Sequence, residues 1–206
     1  MQKTSSSLSN SFKKSTQISE FHCGPAVLQM LLTNIGIDVS QEALTKSAGI
    51  TRSITKHGTR IDQMGNAIEN LKLPARLWYK THCLVDDIRT LLDTYRYPVG
   101  IEWQGLFSDE AEKPNDDSGH YSVVARVDAQ KKALIIVDPY KDFAAQDRII
   151  RIDTFLKRWW DENQIPHTGS KRAHAIRDER LLFIVTKSDV SLPESLGLTH
   201  SSKYNA

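Results

Sequence analysis

The chain holds two thiols, Cys23 and Cys83, and one of them has neighbours that suit carbonyl chemistry. Cys23 is followed by Gly24 and Pro25 and then by an apolar run, CGPAVLQMLLTNIG, whose apolar residues cover most of a helical circumference. The spacing predicts a buried helix with Cys23 in its first turn. Proline suits a helix start, because the N–H it lacks would have no partner there. A thiol at that end lies at the positive pole of the helix, which favours the nucleophilic thiolate. Gly24 would let a substrate carbonyl come close to the backbone. Without partners, however, such a residue is as readily a structural cysteine.

Two candidate partners stand far along the chain from Cys23. His120 opens HYSVVARVD, which has the character of a core strand, and an imidazole projecting from a rigid strand start suits a general base. Asp138 ends the next run, ALIIVDP, and the connection VDAQKKAL between the runs looks like a tight hairpin. If the two strands pair, the end carrying Asp138 lies beside the start carrying His120. The carboxylate can then accept from one ring nitrogen and leave the other facing the thiol. Taken singly, a strand-end histidine satisfied by solvent and an Asp-Pro turn are the commoner readings. One hairpin that places two such groups together, with a thiol on a helix start, points instead to nucleophilic catalysis.

The elements that must position these residues divide near residue 96. Before it the segments read as helical: the Cys23 run, QEALTKSAGI, TRIDQMGNAIENLKL and DDIRTLLDTYR, with ARLWYK as a short strand. After it they read as strands, PVGIEW, HYSVVARVD, KALIIVDP and RLLFIVTK, interrupted by one helix, DTFLKRWWDEN. Helices first and antiparallel strands second is an α+β order rather than a doubly wound one. Residues 1–15 and 188–206 are polar and read as tails around a single domain over 16–187.

Composition narrows the function classes. A chain of 206 residues with 39% hydrophobic content can build a core, and 27 basic against 25 acidic side chains give a net charge of +2. That balance gives no electrostatic case for nucleic acid or an anionic membrane. Two cysteines do not make a disulfide framework, which suits a reducing compartment. The Ser-rich start, MQKTSSSLSNSFKKS, lacks the apolar stretch of a secretory signal, and no apolar run approaches membrane-spanning length. A soluble protein is expected, cytoplasmic or exported by a route that needs no such signal, with no cofactor and no metal. Oligomeric state is left open.

With these residues in hand, a resemblance emerges. Gln17-Ile-Ser-Glu-Phe-His-Cys23-Gly24-Pro25, Gly119-His120-Tyr121-Ser122-Val123-Val124 and Val137-Asp138-Pro139 resemble the bacteriocin-processing, double-glycine leader peptidases of the papain-like clan. In that family a glutamine six residues before the nucleophilic cysteine helps form the oxyanion hole. The histidine opens a strand as H-x-V-V, and the aspartate lies in a D-P pair after the next strand. The resemblance spans residues 17 to 186. It implies a papain-like cysteine peptidase fold, a helical lobe followed by an antiparallel sheet. It also implies a catalytic set of Cys23, His120, Asp138 and Gln17 acting on a peptide or protein through a thioester. The best-known members are fused to a membrane transporter and this sequence carries none, so leader removal during secretion is not implied. A transferase or deamidase using the same thioester, or a silent binding module on the same fold, are the alternatives.

Other features carry less. The pairs His22-Cys23 and His82-Cys83 suggest zinc, but adjacent residues on a strand face opposite ways, and structural sites space their ligands further apart. Cys83 reads as a core thiol. Phe155, Leu156, Trp159 and Trp160 read as a helix face packed on the sheet. Asp109, Glu110, Glu112, Asp116 and Asp117 form an acidic loop that ends beside His120. The loop is either a solvated surface or an overhang on the cleft that favours basic substrates. The basic stretch SKRAHAIRDER is assigned no partner.

Overall fold

A computed structural model describes residues 12–113, 119–144, 146–165 and 174–204. Helix α1 spans Cys23–Asn34 and begins at the residue expected, with Cys23, Gly24 and Pro25 as its first turn. Its residues are buried almost all round, as the unbroken apolar run requires. Helices α2 (Gln41–Ser47), α3 (Ile54–His57) and α4 (Ile61–Asn70) follow, then strand β1 (Ala75–Lys80) and helix α5 (Val85–Asp93). Ser40 caps α2 by accepting from the Ala43 N–H. Strands β2 (Val99–Trp103), β3 (His120–Asp128), β4 (Ala133–Val137) and β5 (Asp147–Arg151) lead into helix α6 (Ile152–Arg158). Strands β6 (Trp160–Ile165), β7 (His174–Glu179), β8 (Leu182–Lys187) and β9 (Thr199–His200) complete the order.

All strand pairing is antiparallel, in a seven-stranded sheet of order β5-β4-β3-β2-β8-β1-β9 and a separate β6–β7 hairpin. The main sheet is covered on both faces. Helices α1, α2 and α4 pack on one side against Leu77, Tyr121, Val123, Phe183 and Val185. Helices α5 and α6 pack on the other against Ile101, Trp103, Val124, Ile136 and Ile184. A strand buried on both faces loses its polar alternation, which is why β2, β4 and most of β3 and β8 read as continuous apolar runs.

Three expectations change. The helix expected over DTFLKRWWDEN stops at Arg158, and Trp160–Ile165 continues as β6, paired with β7 in the stretch read only as basic. Phe155 and Trp159 are buried as expected, whereas Leu156 is exposed and Trp160 half-buried beneath the Arg177 guanidinium. The stretch after Lys187 docks rather than trailing away: β9 pairs with β1, and the buried Tyr204 hydroxyl donates to Asp178. At the other end Phe12 joins the helical-side core, and residues 1–11 lie outside the described chain.

Candidate active site

The register of the β3–β4 hairpin assembles the site. Val123 stands opposite Val137, so the residue after Val137 comes level with Ser122, and His120 lies one step further along the same face. His120 Nε2 is 2.8 Å from Asp138 Oδ1, both side chains being almost wholly buried. With Nε2 committed to the carboxylate, the ring also interacts with the Cys23 side chain, which favours its protonated form. The Tyr140 ring stands edge-on to the imidazole with centroids 6.2 Å apart. Burial opposes the imidazolium, but the Asp138 charge and hydrogen bond and the contact with Cys23 outweigh it, raising the His120 pKa to about 10.

Asp138 is held by more than the histidine. Arg148 Nη1 donates to its Oδ2 at 2.6 Å, Ser122 Oγ donates to the same oxygen at 3.3 Å, and the Tyr140 N–H donates to Oδ1 at 2.9 Å. Arg148 also donates to the carbonyls of Gly105 and Phe107, and its guanidinium lies 3.8 Å from the centre of the Phe143 ring. Trp103 Nε1 donates to Ser122 Oγ and orients that hydroxyl. Burial works against ionisation of Asp138, yet His120, the Tyr140 N–H and Arg148 together hold its carboxyl below the usual carboxylate range. Arg148 and Ser122 were missed in the sequence. Ser122 follows His120 by two residues and so shares its face, whereas Arg148 lies in a short edge strand with no motif.

Cys23 is 8% exposed and free. No side chain caps the start of α1, so the first-turn amides of Cys23 and Gly24 are not consumed by a capping group. The reason for Gly24 differs from the one expected: a Cβ there would lie 2.9 Å from Thr59 Cβ, so the glycine lets the Gly58-Thr59 loop close on the helix start. Gln17 is buried, and its N–H donates to the Pro139 carbonyl, tying the segment before α1 to the residue after Asp138. Its side-chain Nε2 donates to the Ser19 carbonyl at 2.8 Å, and its Oε1 has no hydrogen-bond partner among the described residues. One amide hydrogen of Gln17 is thus spent in orienting the group, which leaves one to offer.

A cleft of about 400 Å³ opens beside the thiol, lined by Cys23 and Thr59 on the helical side and by Glu102, Gly119, Tyr121, Asp161 and Asn163 on the sheet side. The acidic loop does not line it among the described residues. Glu110 is taken up by Thr154 and the Arg151 N–H, and Glu112 accepts from the Asp109 N–H. Asp116 and Asp117 lie outside the described residues. Cys83 is fully buried; burial, aided by the Asp87 charge, pushes its thiol up to about 12. No group of three or more potential metal ligands occurs among the described residues.

A thiol on a helix start, an imidazole and a buried carboxylate thus stand in series. The profile of the Peptidase_C39 like family matches residues 10–165. The chain belongs to that family. Solved structures share its fold, and two serve as examples. One is the peptidase domain of Streptococcus ComA, a bi-functional ABC transporter involved in a quorum sensing pathway. It has 22% identity and a TM-score of 0.54, over 85% of this chain and 98% of that one. The other, a protein from Bacillus anthracis assigned as a C39-like peptidase, has 20% identity and a TM-score of 0.55, over 74% of this chain and 90% of that one. Comparison with curated proteins returned no match. The C39-like chain therefore has the α+β, papain-like cysteine peptidase fold. Its sheet differs from a simple second lobe in drawing β1 from the helical half and in carrying α5 on its far face. No described helix is long and apolar enough to cross a membrane.

Proposed function

We propose that this chain is a cysteine peptidase in which Cys23 is the nucleophile, His120 the base, Asp138 the group that orients it and Gln17 an oxyanion donor. The observation that carries the reading is the imidazole of His120, fixed by Asp138 on one nitrogen and interacting with the Cys23 side chain. A histidine held protonated inside the protein is the counter-ion that a thiolate at that position needs.

The chemistry then follows from the geometry. The Cys23 sulfur attacks the scissile carbonyl carbon, and the carbonyl oxygen takes the negative charge. The Cys23 N–H and the remaining Gln17 amide hydrogen would stabilise it, each such donor being worth roughly 10²–10³ in rate. His120 gives its proton to the departing amine as the C–N bond breaks, which leaves a thioester on Cys23. Water, deprotonated by His120, adds to the thioester, and the sulfur leaves to restore the enzyme with a free carboxylate product. Asp138 keeps the imidazole in the one orientation that serves both proton transfers.

Digestion of a defined peptide library, read by mass spectrometry, tests this. New termini that form with the native protein and not with Cys23→Ala are expected. Identical products from both proteins would overturn the peptidase reading. Ammonia release or acyl transfer without cleavage would replace it with a deamidase or a transferase.

A further inference from the structure

The mechanism leaves one buried ionisable group in the cleft without a task. Glu102 lies on β2, in a strand whose other members are apolar, and is 1% exposed. Its Oε1 accepts from the Tyr121 hydroxyl and from Asn163 Nδ2. Its Oε2 has no hydrogen-bond partner among the described residues. Asp161 lies within hydrogen-bond reach of the same carboxyl, and Gly119, next to His120, has no side chain where the Asp161 carboxylate sits. A Cβ on Gly119 would come within 2.1 Å of Asp161 Oδ1. Glu102, Asp161 and Asn163 therefore form one wall of the cleft that holds Cys23.

The charges around this wall are unequal. Two other acids of the cleft have cations of their own, Glu20 with Lys141 and Glu162 with Arg177. No ion pair joins Glu102 to a lysine, arginine or histidine among the described residues. Lys56, on the opposite side of the cleft, is exposed. Burying a carboxylate oxygen with no donor is costly, and such costs are found where a ligand supplies the missing partner.

Resting on the peptidase reading above, we propose that Glu102, with Asp161 beside it, forms a specificity subsite for a cationic side chain, lysine or arginine, of the peptide substrate. An ammonium or guanidinium would give Oε2 a donor and Glu102 the countercharge that no ion pair supplies among the described residues. The acidity of this subsite lies on β2 and β6, inside the cleft.

The groups facing Glu102 are Tyr121 on β3, Asp161 and Asn163 on β6, Asp178 on β7 and Tyr204 from the C-terminal stretch. Burial, reinforced by the Asp178 charge, pushes the Glu102 carboxyl up to about 7, against the hydrogen bonds it receives. Cation selectivity should therefore strengthen as pH rises through neutrality.

The test uses three alkylating agents on the whole chain, with Cys23 modification followed by mass spectrometry. Lysyl chloromethyl ketone and its uncharged norleucyl analogue differ only in the cation, and iodoacetamide reports the thiol itself. At pH 8 the lysyl reagent should label Cys23 about tenfold or more faster than the norleucyl one, the range a charge-assisted hydrogen bond supplies. Glu102→Gln should abolish that ratio and leave iodoacetamide labelling unchanged. In the native protein the ratio should fall between pH 8 and pH 6, a readout that needs no variant. Ready iodoacetamide labelling with equal lysyl and norleucyl rates would overturn the subsite and leave Cys23 as the nucleophile. Inertness to all three reagents would overturn the nucleophile and the subsite together.

Discussion

Asp138 is where the site is most heavily built, and its four donors differ in what they are worth. His120 and Arg148 carry charge, Ser122 and the Tyr140 N–H do not. Replacing Arg148 with Met leaves a buried carboxylate short of one countercharge, a change that costs about 3–5 kcal/mol. Urea unfolding should show that loss, and Arg148→Lys should recover part of it by keeping the contact to Oδ2. On the proposed mechanism, Asp138→Asn acts on the chemistry instead. With the carboxylate charge gone, only Cys23 is left to oppose burial, and the His120 pKa falls. Cys23 alkylation at pH 6 should then slow by about tenfold or more, as the thiolate loses its counter-ion. Cys23, His120 and Asp138 were legible in the sequence because each sits at the end of an element whose pattern is strong. Arg148 was not, because its role depends on Phe143, Phe107 and two carbonyls brought together only by the fold.

The contact between the start of α1 and the Gly58-Thr59 loop is set by the single missing side chain at Gly24. Alanine is worth up to about 1 kcal/mol over glycine inside a helix, so Gly24→Ala would stabilise α1 in isolation. Here its methyl would meet Thr59 Cβ, and overpacking of that kind costs about 1–3 kcal/mol. The clash should win: thermal unfolding of Gly24→Ala should show a lower midpoint, and Thr59→Gly in the same chain should return part of the loss. A raised midpoint would mean that the loop yields freely. At this scale β2, β3, β4 and β8 were readable because two-sided burial leaves continuous apolar runs. The β6–β7 hairpin was not. WDENQI and HAIRDE carry polar and charged residues at most positions, and Trp159 and Trp160 complete a helical pattern that Trp159 in fact ends. The signal available for Glu102 was a lone acid in an otherwise apolar strand, VGIEW.

For the whole molecule the titrations add up to a slope. Glu102 and His120 both have pKa values raised by folding, so the native state binds protons that the unfolded chain would release. The stability Glu102 contributes is complete below 4.5 and is lost as pH rises to about 7; that of His120 is complete below 6.5 and is lost toward about 10. Asp138 works in the other direction, its contribution being lost as pH falls below 3.8. Thermal unfolding should therefore show greatest stability on the acid side of neutrality and a decline from there to pH 10. Glu102→Gln should flatten the lower part of that decline and Asp138→Asn the upper part; a native profile still rising at pH 9 would contradict both assignments. The most direct test of the central claim is iodoacetamide labelling of the native chain across pH 5 to 9, with Cys23 and Cys83 mapped separately. Cys23 should label rapidly below pH 8 and slow when His120 becomes Ala, while Cys83, fully buried and pushed up to about 12, stays unmodified until the protein unfolds. Equal inertness of the two thiols, or a Cys23 rate indifferent to His120, would contradict the assignment of Cys23 and His120 as nucleophile and base.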